Sequence, residues 1–87
     1  KEINVILKTD VKGTEEAVKN SLSKIEVEGV RVNVIRSGVG TITESDIVLA
    51  NASDAIIIGF NVRPNAKTLE VAKEYNVDIR LQNMKKK

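Results

Sequence analysis

The chain has 87 residues, with 14 Lys and Arg against 12 Asp and Glu, no cysteine and no histidine. That length makes one domain with one modest core, burying roughly 60% of its unfolded surface. Disulfides, thiolate metal sites and histidine general bases are excluded, and a net charge of +2 is too small to argue for nucleic acid by itself.

Residues 3–9 read as a first strand, with Ile3, Val5, Ile6 and Leu7 apolar, followed by the loop Asp10-Val11-Lys12-Gly13. Thr14 is a suitable N-cap, and Glu15 and Glu16 suit the positive end of a helix. Val18, Leu22 and Ile25 recur at helical spacing and carry that helix to about residue 28, where Gly29 suits a left-handed stop. A second strand spans residues 30–36. There Val30, Val32 and Val34 alternate with Arg31, Asn33 and Arg36, and only Ile35 breaks the pattern; such alternation suits an edge strand. Ile3-Asn4-Val5-Ile6 returns as Val32-Asn33-Val34-Ile35, a structural rhyme of one strand–helix unit with the next.

Ser37-Gly38-Val39-Gly40-Thr41 follows as a loop. Thr43 then caps a short second helix with Asp46 at its third position, a capping box with the shorter acid, and Ile42 and Ile47 make a hydrophobic staple. That helix is expected to end near Asn51. Ala55–Phe60 is the one unbroken apolar run, bounded by turn formers at 51–54 and 61–64. Such a run marks a strand buried on both faces of a parallel sheet, so the rest of the chain is expected to be arranged around it. Gly59 inside it points to close helix packing ahead of ligand approach. Pro64 holds Arg63 extended. Asn65 caps a third helix carrying Ala66, Leu69, Ala72 and Tyr75, and Asn76 is its left-handed stop. Val77, Ile79 and Leu81 alternate with Asp78, Arg80 and Gln82 in a last edge strand. The domain is thus expected over 1–82, with residues 83–87 a basic tail.

Strand–helix units this short give parallel neighbours with right-handed connections. Two apolar strands belong inside and two alternating strands outside. This predicts an α/β fold: a three-layer α/β/α sandwich with a four-stranded parallel sheet in the order 2-1-3-4 and three helices. The first helix lies on one face and the other two on the opposite face. Ligands of such sheets bind at strand carboxyl ends near the switch point, here between the first and third strands. The residues brought there are Lys8, Asp10 and Lys12 after the first strand and Asn61 and Arg63 after the third. Arg36, Ser37, Gly38 and Gly40 flank them, completing a candidate interaction rim.

The stretch from Gly38 to Thr43 is a near miss to the dinucleotide fingerprint, with Thr43 where a third glycine belongs. No P-loop is present. Amides at Thr43 could hold an anion, but Thr43 and Asp46 are expected to satisfy them already. Ser37, Ser45 and Ser53 have no histidine to activate them, and a lone loop acid such as Asp10 is usually a turn residue. No catalytic, cofactor-binding or metal-ligating residue is assigned. Phe60 and Tyr75 are the only aromatics, which disfavours a base-stacking sheet. No apolar run approaches about 18 residues and no signal-peptide pattern is present, so a soluble, cytoplasmic chain without a membrane partner is expected.

Ser37-Gly38-Val39-Gly40, Ile42-Thr43-Glu44-Ser45-Asp46 and the run from Ala55 to Pro64 together resemble the third domain of bacterial translation initiation factor two. Lys8-Thr9-Asp10-Val11-Lys12-Gly13-Thr14 is similar to that family's first strand-to-helix loop, and Val77-Asp78-Ile79-Arg80 to its last strand. The likeness runs from about residue 2 to residue 81, with the segments in order at plausible spacing, and departs from the family over 83–87.

The resemblance implies a translation role as a non-catalytic relay or spacer domain. In the family this domain follows the GTP-binding domain and a β-barrel and precedes the part that binds initiator tRNA. The full factor places initiator tRNA on the ribosome and promotes subunit joining, with GTP and Mg held on another domain. The implied partners are the factor's other domains, the ribosome and ribosomal RNA, with initiator tRNA met through a different domain; the isolated domain is expected to be a monomer. No GTP or tRNA contact transfers to a residue of this chain. The second reading is an independent small-ligand or anion-binding module using Gly38 to Gly40 and Arg63.

Overall fold

A computed structural model describes residues 2–24, 26–27 and 29–82, and the basic tail expected over 83–87 lies outside them. Among the described residues, five strands form one sheet: β1 (Glu2–Thr9), β2 (Glu26–Val27), β3 (Val30–Val39), β4 (Ala55–Phe60) and β5 (Ile79–Gln82). Three helices among them connect these strands: α1 (Lys12–Ser23), α2 (Glu44–Ser53) and α3 (Ala66–Tyr75). The strand order is β2-β3-β1-β4-β5. The four long strands β3-β1-β4-β5 are parallel and stand in the expected order 2-1-3-4. The short β2 adds an antiparallel pairing to β3.

That hairpin accounts for a difference in α1. The sequence predicts this helix from Thr14 to about residue 28. It starts at Lys12 with Val11 as an extended N-cap that makes no side-chain cap bond, and it ends at Ser23. Gly29 does take positive φ, at 82°, but in a connection where Val27 pairs with Val30. A tight hairpin turn needs the left-handed region as much as a helix end does, so the glycine alone does not distinguish the two. Ile25 lies outside the described residues.

Burial shifts the organising strand. β1, not β4, is the strand enclosed on both faces, with Val5, Ile6 and Leu7 in succession at most 1% exposed. β4 alternates instead: Ala55, Ile57 and Gly59 are buried while Ile56, Ile58 and Phe60 are half-buried. The reason is the placement of α1, which packs over β3 and β1 and leaves that side of β4 partly open. On the opposite face α2 and α3 pack on each other, and Ile6 and Ile57 meet Ile42, Ile47, Ala50 and Ala72 in one core cluster.

The two rhyming segments lie side by side, Ile3 opposite Val32, Asn4 opposite Asn33 and Val5 opposite Val34. Asn33 donates to the Asn4 side chain at 3.3 Å, and Asn4 donates to the Ser53 carbonyl at 2.9 Å. The register then slips: Ile6 faces Arg36, leaving Ile35 as an extra residue in β3. The single break in the Val alternation is therefore a β-bulge. β3 also runs to Val39, so Ser37 and Gly38 pair with Leu7 and Lys8 rather than opening a loop.

The ends of α2 and α3 follow local chemistry closely. Thr43 and Asp46 form the capping box on α2, with Ile42 and Ile47 both buried beside it. The helix runs past Asn51 to Ser53, where Asp54 takes the left-handed conformation. Asn65 Oδ1 accepts from the Thr68 amide at 2.8 Å, and Asn76 ends α3 at φ 58°. Val77 precedes β5 and donates its amide to Ala72.

Ile47 is fully buried, so Ile47→Ala is expected to cost about 2–4 kcal/mol in a denaturant melt; a loss below about 0.5 kcal/mol would mean the site collapses without a cavity. A side chain at Gly59 would meet Ile42 Cδ1 and Leu81 Cδ2 at 3.0 Å and Val62 Cγ2 at 3.2 Å. Gly59→Val is therefore expected to destabilise by about 1–3 kcal/mol through overpacking. An unchanged melt would show those three side chains giving way together.

Candidate functional site

The carboxyl ends of the parallel strands share one edge. Thr9 closes β1 by donating its hydroxyl to Val11 O at 3.0 Å, and its carbonyl accepts from Gly40 N at 2.7 Å. Gly40 has φ 119°, where a side chain would be strained. Asp10 and Lys12 emerge exposed beyond this point, Lys12 as the first residue of α1. Beyond β4, Asn61 takes φ 63° and donates its amide to Gln82 O at 2.8 Å. Arg63 follows, exposed, its carbonyl accepting from Thr41 Oγ1, while Pro64 is buried. Asn61, Val62, Arg63, Leu81 and Gln82 line an open depression of about 420 Å³ there.

Lys8 behaves differently from the loop cations. Its register neighbours are Gly38 on β3 and Gly59 on β4, so neither flank carries a Cβ. Its side chain leans toward Gly38, where an added Cβ would lie 3.6 Å from Nζ. The ammonium ends 3.4 Å from Asp46 Oδ2, and the side chain is 15% exposed. Arg36 reaches the same acid from β3, with Nη1 3.7 Å from Oδ1. The bulge makes this possible. Val34 pairs with Val5 and lies with it on one face of the sheet. Arg36 pairs with Ile6 and so faces the side occupied by α2. With side chains alternating strictly, residue 36 would have followed Val34 to the other face.

Asp46 is thus a junction. Its side chain is 2% exposed, and its Oδ2 accepts from the Thr43 amide at 3.0 Å and the Thr43 hydroxyl at 3.1 Å. Its own amide donates back to Thr43 Oγ1 at 3.4 Å. Two cations on one carboxylate leave a surplus of one positive charge. The Thr43 and Asp46 amides are committed to this box and a buried carboxylate stands beside the start of α2, so the stretch from Gly38 to Thr43 does not fit a nucleotide phosphate.

The rim is therefore divided. Lys8, Arg36 and Gly38 lie together on the α2 side. Asp10 and Lys12 stand past β1, and Asn61 and Arg63 past β4. Ser37 pairs with Leu7 and lies on the α1 side. From sequence, Asp46 reads only as a helix cap. The available signals for its second role are the break at Ile35 and the glycine at 38. Among the described residues no cluster of three or more acids could hold a metal ion. No helix among them is long and apolar enough to cross a membrane.

The family model for translation-initiation factor 2 matches residues 1–84. Proteins named translation initiation factor IF-2 from Shouchella clausii and Halalkalibacterium halodurans are 61% and 60% identical to the chain over 84 residues. The Bacillus subtilis protein of the same name is 58% identical over 84 residues. Each match covers 97% of this chain but only 11% or 12% of the relative. The chain accordingly belongs to the translation-initiation factor 2 family.

Proposed function

We propose that this chain is a non-catalytic relay domain of a longer translation initiation factor, and that its strand-end rim meets ribosomal RNA. The observation that carries this reading is the set of outward cations along the strand-end edge of a stiff body. Lys12 and Arg63 are exposed, and Arg36 is half-exposed at 49%. Pro64 restricts the chain beside Arg63, so less freedom is lost when a partner holds it. Family membership supports the ribosome as the setting. Coverage of only 11–12% of the relatives supports a part working with other domains, among them those that handle GTP and initiator tRNA in the full factor. A relay needs rigidity. Capped α2 and α3 on a sheet with one strand buried on both faces supply it.

Arg36→Glu is a poor test, because it would set a second carboxylate against buried Asp46. Lys12→Glu combined with Arg63→Glu is cleaner: both sites are exposed, and an acid at the start of α1 favours the helix. This double variant is expected to fold normally, bind small ribosomal subunits more weakly, and lower the salt-dependence slope by about one unit for each phosphate no longer neutralised. Unchanged binding across the salt series would move the RNA contact off this edge.

A further inference from the structure

We propose that Arg36 is an exchangeable arginine, held in reserve by Asp46 and handed to an RNA phosphate when the rim is occupied. The proposal rests on the RNA-facing reading of the rim and adds the atoms that do the binding and the group that competes for them.

The four partners of the Asp46 carboxylate are unequal. Oδ2 is taken by the Thr43 amide, the Thr43 hydroxyl and the sheltered Lys8 ammonium. Oδ1 faces Arg36 at 3.7 Å, longer than a charge-assisted hydrogen bond. Arg36 is also the more exposed cation, at 49% against 15% for Lys8. An ion pair this open to water contributes little, so Arg36 can leave at small cost while Lys8 and the capping box still serve Asp46. The node carries one positive charge more than it needs, and Arg36 is the charge that can move.

Two features of β3 suit it to that task. The bulge at Ile35 aims Arg36 to the α2 side of the edge instead of the α1 side. Gly38, next on the same face, presents no side chain, and Lys8 alone among the described residues comes within 4 Å of where its Cβ would be. The Lys8 side chain lies over that gap, so a phosphodiester approaching Arg36 meets a second cation beside it. The planar guanidinium fork matches phosphate oxygens in a way that a point-charge ammonium does not. The RNA-facing reading of the rim makes phosphate the partner proposed here; an acidic peptide would also fit the fork.

The test uses the 87-residue chain and an RNA duplex of about 16 base pairs at low salt, with binding read by anisotropy for Asp46→Asn, Arg36→Gln, both together, and Lys12→Glu with Arg63→Glu. Asp46→Asn removes the competitor and is expected to tighten binding about two- to fivefold, a gain that disappears in the Arg36→Gln background. In the unaltered chain, the Asp46 carboxyl carbon and the Arg36 Nε resonances are expected to shift together as duplex is added; this readout holds even where Asp46→Asn disturbs the cap. Weaker binding by the Lys12 and Arg63 variant overturns the exchange but leaves the rim standing if Asp46→Asn gives no gain, if the gain survives without Arg36, or if the Asp46 carbon stays still. If the Lys12 and Arg63 variant also binds the duplex undiminished, the rim reading falls and the exchange falls with it.

Discussion

One buried carboxylate ties the strand-end edge together. Asp46 sits at the start of α2 and is reached by Lys8 from β1 and Arg36 from β3, so a single acid joins a helix to two neighbouring strands. An uncompensated charge at 2% exposure would be strongly unfavourable. The surrounding structure meets that demand three times over, with a capping box, a lysine laid beside a glycine, and an arginine redirected by a bulge. Each device belongs to a different element. Moving α2 along its axis would disturb both ion pairs, and moving β1 or β3 would disturb the one that strand supplies.

Much of the architecture is legible because it is written in local chemistry. Thr43 with Asp46, Ile42 with Ile47, Asn65 and Asn76 each act within one turn of where they stand, and the structure places all of them as the residue types require. The parallel order follows from which segments are apolar and how short the connections are. What the pattern leaves ambiguous is decided by contacts distant in sequence. Gly29 could end a helix or turn a hairpin, and β3 settles which. The apolar run at 55–60 promises enclosure on both faces, but α1 lies over β3 and β1, and β1 takes the enclosed place.

The rim shows the same division. Arg63 and Asp10 are exposed loop residues, as their neighbours in sequence suggest, and Lys12 is exposed at the first position of α1. Lys8 and Arg36 look equivalent to them when judged only as charges near strand ends. Their real state depends on Asp46, ten positions beyond Arg36, and on a parity change at Ile35 that shows in the sequence only as one apolar residue out of step. A charge near a strand end becomes a surface charge or an internal counter-ion according to which face the pleat gives it.

The relay role proposed for this chain calls for an edge that transmits position. For that, Asp46 must be held firmly and Arg36 loosely. The most direct measurement compares the unfolding free energies of Asp46→Ala and Arg36→Ala by urea denaturation. Losing Asp46 removes a cap and strands a sheltered lysine, for an expected cost of about 2–4 kcal/mol. Losing Arg36 removes a half-exposed pair, for an expected cost below about 1 kcal/mol. Equal costs for the two, or a negligible cost for Asp46→Ala, would contradict that division of roles.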